Sequence, residues 1–244
     1  MTLIGRTRAR GVETLTLDSP HNRNALSAAL VGELTDALAD CAKDADVRAI
    51  VLTHTGNTFS AGADLRDPPP PEALVALLRQ ILALPKPVVA RVTGHVRAGG
   101  LGLLAACDIS AASQQATFAF TEVHIGVAPA VISLALLPRT DPRALARYYL
   151  TGERFTAPEA ARIGLLTTAG EDVDEALAPI LDGLRRASPQ ALAETKALLT
   201  AKVLEAFDRD AADLTALSAR LFSSAQAREG MTAFLERRDP AWVV

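Results

Sequence analysis

Two cysteines are all that the 244-residue chain contains, and two do not make the disulfide framework of a small secreted fold. Cys41 lies on the periodic face of a helical segment and Cys107 in an apolar run, so both read as core thiols. Positive charge is concentrated nowhere. The 25 Lys and Arg are interspersed with 28 Asp and Glu, for a net charge of -3. The basic stripe that nucleic-acid binding needs is missing. No apolar run approaches the ~18 residues of a membrane span. The opening "MTLIGRTRARGVETLTLD" lacks the apolar core of a secretory signal. The expectation is a cytoplasmic protein with neither a nucleic acid nor a membrane as partner. The stretch "HVRAGGLGLLAACD" (95–108) has no serine, no acid before Asp108 and no metal-ligand pair, so no metal is expected there.

Apolar residues are abundant, at 49% of the chain, enough for a sizeable core in one large domain, with or without a helical appendage. "VETLTL" (12–17), "RAIVLTH" (48–54) and "KPVVARVTG" (86–94) read as strands. In 24–44, Leu26, Leu30, Leu34, Leu38 and Cys41 recur at helical spacing, with Ser27 as the N-cap. "PPPP" (68–71) reads as an extended linker before a helix over 72–84 that Pro85 ends. A further helix follows Gly99, with short strands near "DISAA" and "ATFAF". From Pro129 the pattern is mostly helical. "TAPE" (156–159) reads as a capping box, and "SP" (188–189) opens another helix. Strands alternating with helices, then helices alone, predict an α/β fold with a helical C-terminal part and a boundary near 185–190.

Gly99 and Gly100 admit three readings. "GLGLLA" (100–105) fits G-x-G-x-x-A, with Glu122 twenty residues after Gly102 at the end of a predicted strand. The preceding strand ends by Gly94, too early for a dinucleotide fingerprint, and "TFSAGADL" stays unexplained. A second reading has the glycines permit close helix packing. In the third, "TFSAGADL" and the Gly99 turn act together. Small residues let a ligand approach the main chain, and free N–H groups of two separate turns can grip one developing oxyanion.

"NTFSAGADL", "GHVRAGGLGLLAACDI", "ATFAFTEVHIGVAP" and "AREGMTAFLERRDPAW", in this order across essentially the whole chain, resemble the enoyl-CoA hydratase/isomerase (crotonase) superfamily. "PHNRNAL" (20–26) resembles that family's segment beside the CoA nucleotide. The resemblance implies a crotonase-like α/β spiral of β-β-α turns over 1–188. It further implies a C-terminal helical trimerisation region over 189–244, giving a homotrimer or a dimer of trimers. Its substrates are acyl-CoA thioesters, so coenzyme A belongs to the substrate and no separate cofactor is needed. The N–H groups of Ala63 and Gly99 correspond to the oxyanion donors. Ala25, Ala61, Asp64, Leu65, Gly100 and Gly102 correspond to positions lining the substrate and CoA channel. Arg23 and Arg66 are candidates for the CoA phosphates or adenine pocket, with ordinary surface charge as the alternative. Asp64 has a turn cap as its alternative.

Family hydratases commonly use two glutamates. The second corresponds to Glu122, and the first falls on Gly102. Glycine there is expected to leave room for a branched or bulky acyl group. "TEVHIGVAPAVIS" lacks the "PGGGG"-like turn of common fatty-acid hydratases and looks more like hydratases of branched or glutaconyl-type CoA esters. His124 is expected to have a structural or surface role. The resemblance implies an enoyl-CoA hydratase. A Δ3–Δ2 enoyl-CoA isomerase with Glu122 as its single base, and a non-catalytic acyl-CoA-binding protein, are the alternatives.

Overall fold

The computed structural model describes residues 2–244. β1 (Ile4–Ala9) and β2 (Val12–Leu17) form an antiparallel hairpin. Its turn residues Arg10 and Gly11 both have positive φ, 49° and 76°, the backbone that matches strand twist in a two-residue loop. α1 (Ala28–Lys43) starts where Ser27 Oγ accepts from Leu30 N at 3.2 Å, as its sequence predicts.

Three successive turns then each contribute one strand to each of two sheets. The first is β3 (Ala49–His54), β4 (Thr58–Ser60) and α2 (Pro71–Ala83). The second is β5 (Val88–Val92), β6 (His95–Arg97) and α3 (Gly99–Ala106). The third is β7 (Ile109–Ser113), β8 (Thr117–Ala119), a 3₁₀ turn over Glu122–Ile125, and α4 (Ala130–Leu136). α5 (Pro142–Thr151), β9 (Phe155–Thr156), α6 (Ala157–Arg162), β10 (Thr168–Gly170) and α7 (Val173–Arg186) follow. α8 (Pro189–Phe222) and α9 (Ala225–Glu236) complete the chain. The larger sheet runs β1-β2-β3-β5-β7-β10 and the smaller β4-β6-β8-β9. This is the α/β spiral of β-β-α turns that the sequence resembles.

Strand periodicity divides the apolar residues between two faces. Ile50, Leu52, Val88 and Ala90 face the main core, while Val51 and Val89 face a smaller cluster closed by Val173 and Leu177 of α7. Cys41 and Cys107 are buried free thiols. Pro71 is the first residue of α2, not the end of a linker, because a proline at the first helical position forfeits only a free N–H. The capping box at 156–159 is half formed. Thr156 Oγ accepts from Glu159 N at 3.4 Å, but Glu159 turns its carboxylate to Tyr148 and Arg162 instead. No helix among the described residues is long and apolar enough to cross a membrane.

α8 packs on α2 and α4, and its Val203 and Phe207 belong to the main core. α9 returns to brace the Glu122–Ile125 turn. A Cβ added to Gly230 would lie 2.5 Å from the carbonyl carbon of Ile125, so only glycine permits this approach. α8 is pinned by Lys196. Its buried Nζ sits 2.7 Å from Asp108 Oδ2 and donates to the carbonyls of Ile81 (2.7 Å) and Lys86 (3.0 Å). Asp108 Oδ2 also accepts from Val88 N at 2.8 Å.

Deleting one partner of such a pair leaves the other charge buried alone, at a cost of about 3–5 kcal/mol. Lys196→Met should therefore lower Tm by on the order of 10 °C. Adding Asp108→Asn should recover part of the loss, as differential scanning fluorimetry will show. A double variant no more stable than Lys196→Met alone contradicts the pairing argument.

Candidate active site

The segment from Ser19 to Leu26 is tied down by Asn24, which sequence reasoning passed over. Asn24 is fully buried with φ 52°, a conformation asparagine tolerates. Its Oδ1 accepts from Ser19 N at 2.7 Å, and its Nδ2 donates to the carbonyls of Thr55 (3.0 Å) and Thr58 (2.7 Å). The segment then pairs with the loop after β4. Ala61 N donates to Arg23 O, Leu26 N to Gly62 O and Asp64 N to Leu26 O. Since the groups on either side of Ala63 bond Leu26, the Ala63 N–H points the opposite way, and it donates to nothing among the described residues.

On that opposite side stands the start of α3. Gly62 has φ +90°, and a Cβ there would lie 2.7 Å from Ala98 Cβ, 3.2 Å from Gly99 N and 3.3 Å from Arg97 O. A Cβ on Gly99 would lie 3.6 Å from Ala63 N. Gly99 is the first residue of α3, so its N–H has no partner within the helix. The two turns thus bring two free backbone donors together. Ala98 is held at φ 46°, ψ -122°, a strained backbone for a residue with a Cβ. Ala98 N donates to Ala119 O and Leu101 N donates to Ala98 O, which fix that conformation and aim Gly99.

Glu122 is not on a strand end. β8 stops at Ala119, and Glu122 opens the 3₁₀ turn, 8% exposed. Its Oε2 has no hydrogen-bond partner among the described residues. Burial pushes its pKa from 4.5 up to about 7. An acid of that kind exchanges protons readily near neutrality. His124 lies exposed, its Nε2 2.8 Å from Thr151 O, a structural bond that fixes Nε2 as the protonated nitrogen.

The residues expected to line a channel fall around the two turns. Ala61, Asp64 and Leu65 are half-buried, Ala25 is buried, and Arg23 and Arg66 are exposed. Asp64 caps its own turn, with Oδ1 accepting from Arg66 N at 3.0 Å. Gly100 serves close packing, since a Cβ would lie 2.8 Å from Ser60 Cβ. Gly102 corrects the expectation of free room. A Cβ there would lie 2.5 Å from Ile132 Cγ2 and 3.4 Å from Leu78 Cδ1, so Ile132 of α4 fills the space that a longer side chain would need. β6, unforeseen in the sequence, ends two residues before Gly99. The dinucleotide reading still fails, because Gly100 and Gly102 are packed against protein.

Between about pH 4.5 and 7 the folded chain keeps on Glu122 a proton that the unfolded chain has lost. Its contribution is fully present below pH 4.5 and is lost as pH rises through 7. Glu122→Gln should therefore melt several degrees above the wild type at pH 8.5, with a much smaller difference at pH 5. An equal Tm difference at both pH values contradicts the buried-acid assignment.

A family model described as enoyl-CoA hydratase/isomerase matches residues 7–243. The chain is similar to a crystal structure of an enoyl-CoA hydratase from Mycobacterium avium, at 52% identity and TM-score 0.93, covering 100% of each chain. It is 32% identical to the enoyl-CoA hydratase domain-containing protein 3, mitochondrial, of Danio rerio, over 95% of this chain and 84% of that protein. It is 30% identical to the 2,3-dehydroadipyl-CoA hydratase of Escherichia coli K12, over 96% of this chain and 95% of that protein. The two converging N–H groups, the buried glutamate and these matches have one reading: the chain belongs to the enoyl-CoA hydratase/isomerase family.

Proposed function

We propose that the chain is an enoyl-CoA hydratase, adding water reversibly to a 2-enoyl-CoA thioester with Glu122 as its single carboxylate. The observation that carries this reading is the buried Glu122, poised near neutrality with Oε2 unpartnered among the described residues. The ionised carboxylate takes a proton from water as the oxygen bonds Cβ. The electron pair of the Cα–Cβ double bond moves toward the thioester carbonyl, whose developing oxyanion is held by the N–H groups of Ala63 and Gly99. Glu122 then returns the proton to Cα as the enolate collapses. Arg23 and Arg66 lie exposed near the turn and serve the CoA phosphates, with Ala25, Ala61, Asp64 and Leu65 as channel wall. No other cofactor enters. The working form is a homotrimer or a dimer of trimers in the cytoplasm, an assembly that would cover the exposed Leu198, Leu199, Phe234 and Leu235 of the C-terminal helices.

A second reading is favoured by Ile132. Hydrocarbon occupies the place of a second carboxylate, and shuttling one proton between Cα and Cγ of a 3-enoyl thioester needs only Glu122. Offering 2-enoyl-CoA and 3-enoyl-CoA separately distinguishes the two. Hydration should rise with pH through about 7, as Glu122 ionises. It should fall ~10²–10⁴-fold in Glu122→Gln. Consumption of 3-enoyl-CoA alone selects the isomerase, and undiminished activity in Glu122→Gln contradicts both readings. Gly102→Glu alone should fold poorly against Ile132. Gly102→Glu with Ile132→Gly should fold and hydrate a short linear substrate faster than Ile132→Gly alone. The gain is tempered by the repulsion between two carboxylates.

A further inference from the structure

With Gly102 covered by Ile132, the hydration reading leaves one polar end of the attacking water unassigned. Water held for reaction needs two or more polar partners. Near Glu122 the structure offers a second polar group of a different kind, a phenol. Tyr149 of α5 packs its ring edge-on against Phe120, two residues before Glu122, at 4.6 Å between centroids. Its hydroxyl lies 3.3 Å from Ser133 Oγ of α4.

The protons can be assigned. Ser133 has one hydroxyl proton and two acceptors in reach, Pro129 O at 2.7 Å and Tyr149 OH at 3.3 Å. The shorter contact takes it, because hydroxyl bonds centre near ~2.7–2.8 Å and weaken beyond ~3.0 Å. Ser133 Oγ is left as a distant acceptor at best, so the Tyr149 proton is free for a better one. Burial pushes the Tyr149 phenol far above its ordinary range and the Glu122 carboxylate adds to the rise, so it stays protonated at every working pH. No direct hydrogen bond joins Tyr149 to Glu122, and Glu122 Oε2 is itself without a partner among the described residues. The C-terminal end of α5 packs on the turn that carries Glu122, where His124 Nε2 donates to Thr151 O at 2.8 Å, so a protonated donor and an orphaned acceptor sit on two elements in contact without bonding each other.

We propose that the Tyr149 hydroxyl and Glu122 Oε2 together hold the water that adds to Cβ, Tyr149 taking the place of the second carboxylate. This rests on the hydration reading. Glu122 removes the proton, while Tyr149 orients the water and loses no proton itself. The edge-on packing of the ring against Phe120 keeps the phenol in line. Proton exchange at Cα of a saturated acyl-CoA needs Glu122 and the oxyanion donors but no second water ligand, so Tyr149 matters for hydration and not for exchange.

The test compares wild type, Tyr149→Phe and Glu122→Gln in two assays: hydration of a 2-enoyl-CoA, and deuterium uptake at Cα of the saturated acyl-CoA by NMR. Tyr149→Phe keeps the ring on Phe120. Its hydration kcat should fall ~10- to 100-fold, the range of a hydrogen bond to a charged or developing charge, with KM and deuterium uptake unchanged. Glu122→Gln should lose both activities. Tyr149→Met, which removes ring and hydroxyl together, should show the same split and stands in if the Phe variant folds poorly. Hydration at the wild-type rate in Tyr149→Phe overturns the proposal, as does a parallel fall of hydration and uptake in both Tyr149 variants. A wild type that takes up deuterium yet hydrates no 2-enoyl-CoA overturns the hydration reading itself, and this proposal with it.

Discussion

The contact of the Gly62 turn with the Ala98–Gly99 turn governs the rest of the site. Two loops from different turns of the spiral meet so closely that a single methyl on Gly62 would lie 2.7 Å from Ala98 Cβ. The meeting requires a glycine at φ +90° on one side and a strained alanine at φ 46° on the other. Neither conformation would persist alone. Asn24 holds the first loop by bonds to Ser19, Thr55 and Thr58, and the bond from Ala98 N to Ala119 O holds the second. What this strain maintains is the convergence of the Ala63 and Gly99 N–H groups. Donors fixed in advance need no reorganisation when charge appears between them.

The acid is governed by the opposite device. Glu122 is placed where its charge is disfavoured, so that near neutrality it both gives and takes a proton. The 3₁₀ turn turns it inward, and α9 closes over the same turn through the Gly230–Ile125 approach. With apolar Ile132 packed over Gly102, Glu122 is left as the one carboxylate of the candidate site. That arrangement suits a thioester carbonyl whose charge the backbone stabilises.

The sequence made the long elements legible because each presents one periodic face. Leu30, Leu34, Leu38 and Cys41 are all buried on α1, and Ser27 caps it. Of the small sheet only β8 was legible, near "ATFAF"; β4, β6 and β9 are two or three residues long and too short for any alternation. β1 escaped for another reason. Arg6 and Arg8 reach Glu13 from an edge strand that buries little, so it carries no apolar pattern. Ala63, Gly99 and Glu122 could be named from motif order and residue chemistry. The burial of Glu122 could not, since the segments that pack over it are distant in sequence. Ile132 over Gly102 is a volume exchange between positions thirty apart, and the Ser133–Tyr149 contact joins two helices. Such pairings exist only once the chain is folded.

The central claim is that Ala63 and Gly99 together polarise a thioester carbonyl. Infrared difference spectroscopy reads this directly with a saturated acyl-CoA carrying a ¹³C-labelled carbonyl, bound to the wild-type protein. Two N–H donors on one oxygen weaken the C=O bond, so the labelled band should move to lower frequency than in water. A bound thioester whose carbonyl absorbs at the aqueous frequency would contradict the account.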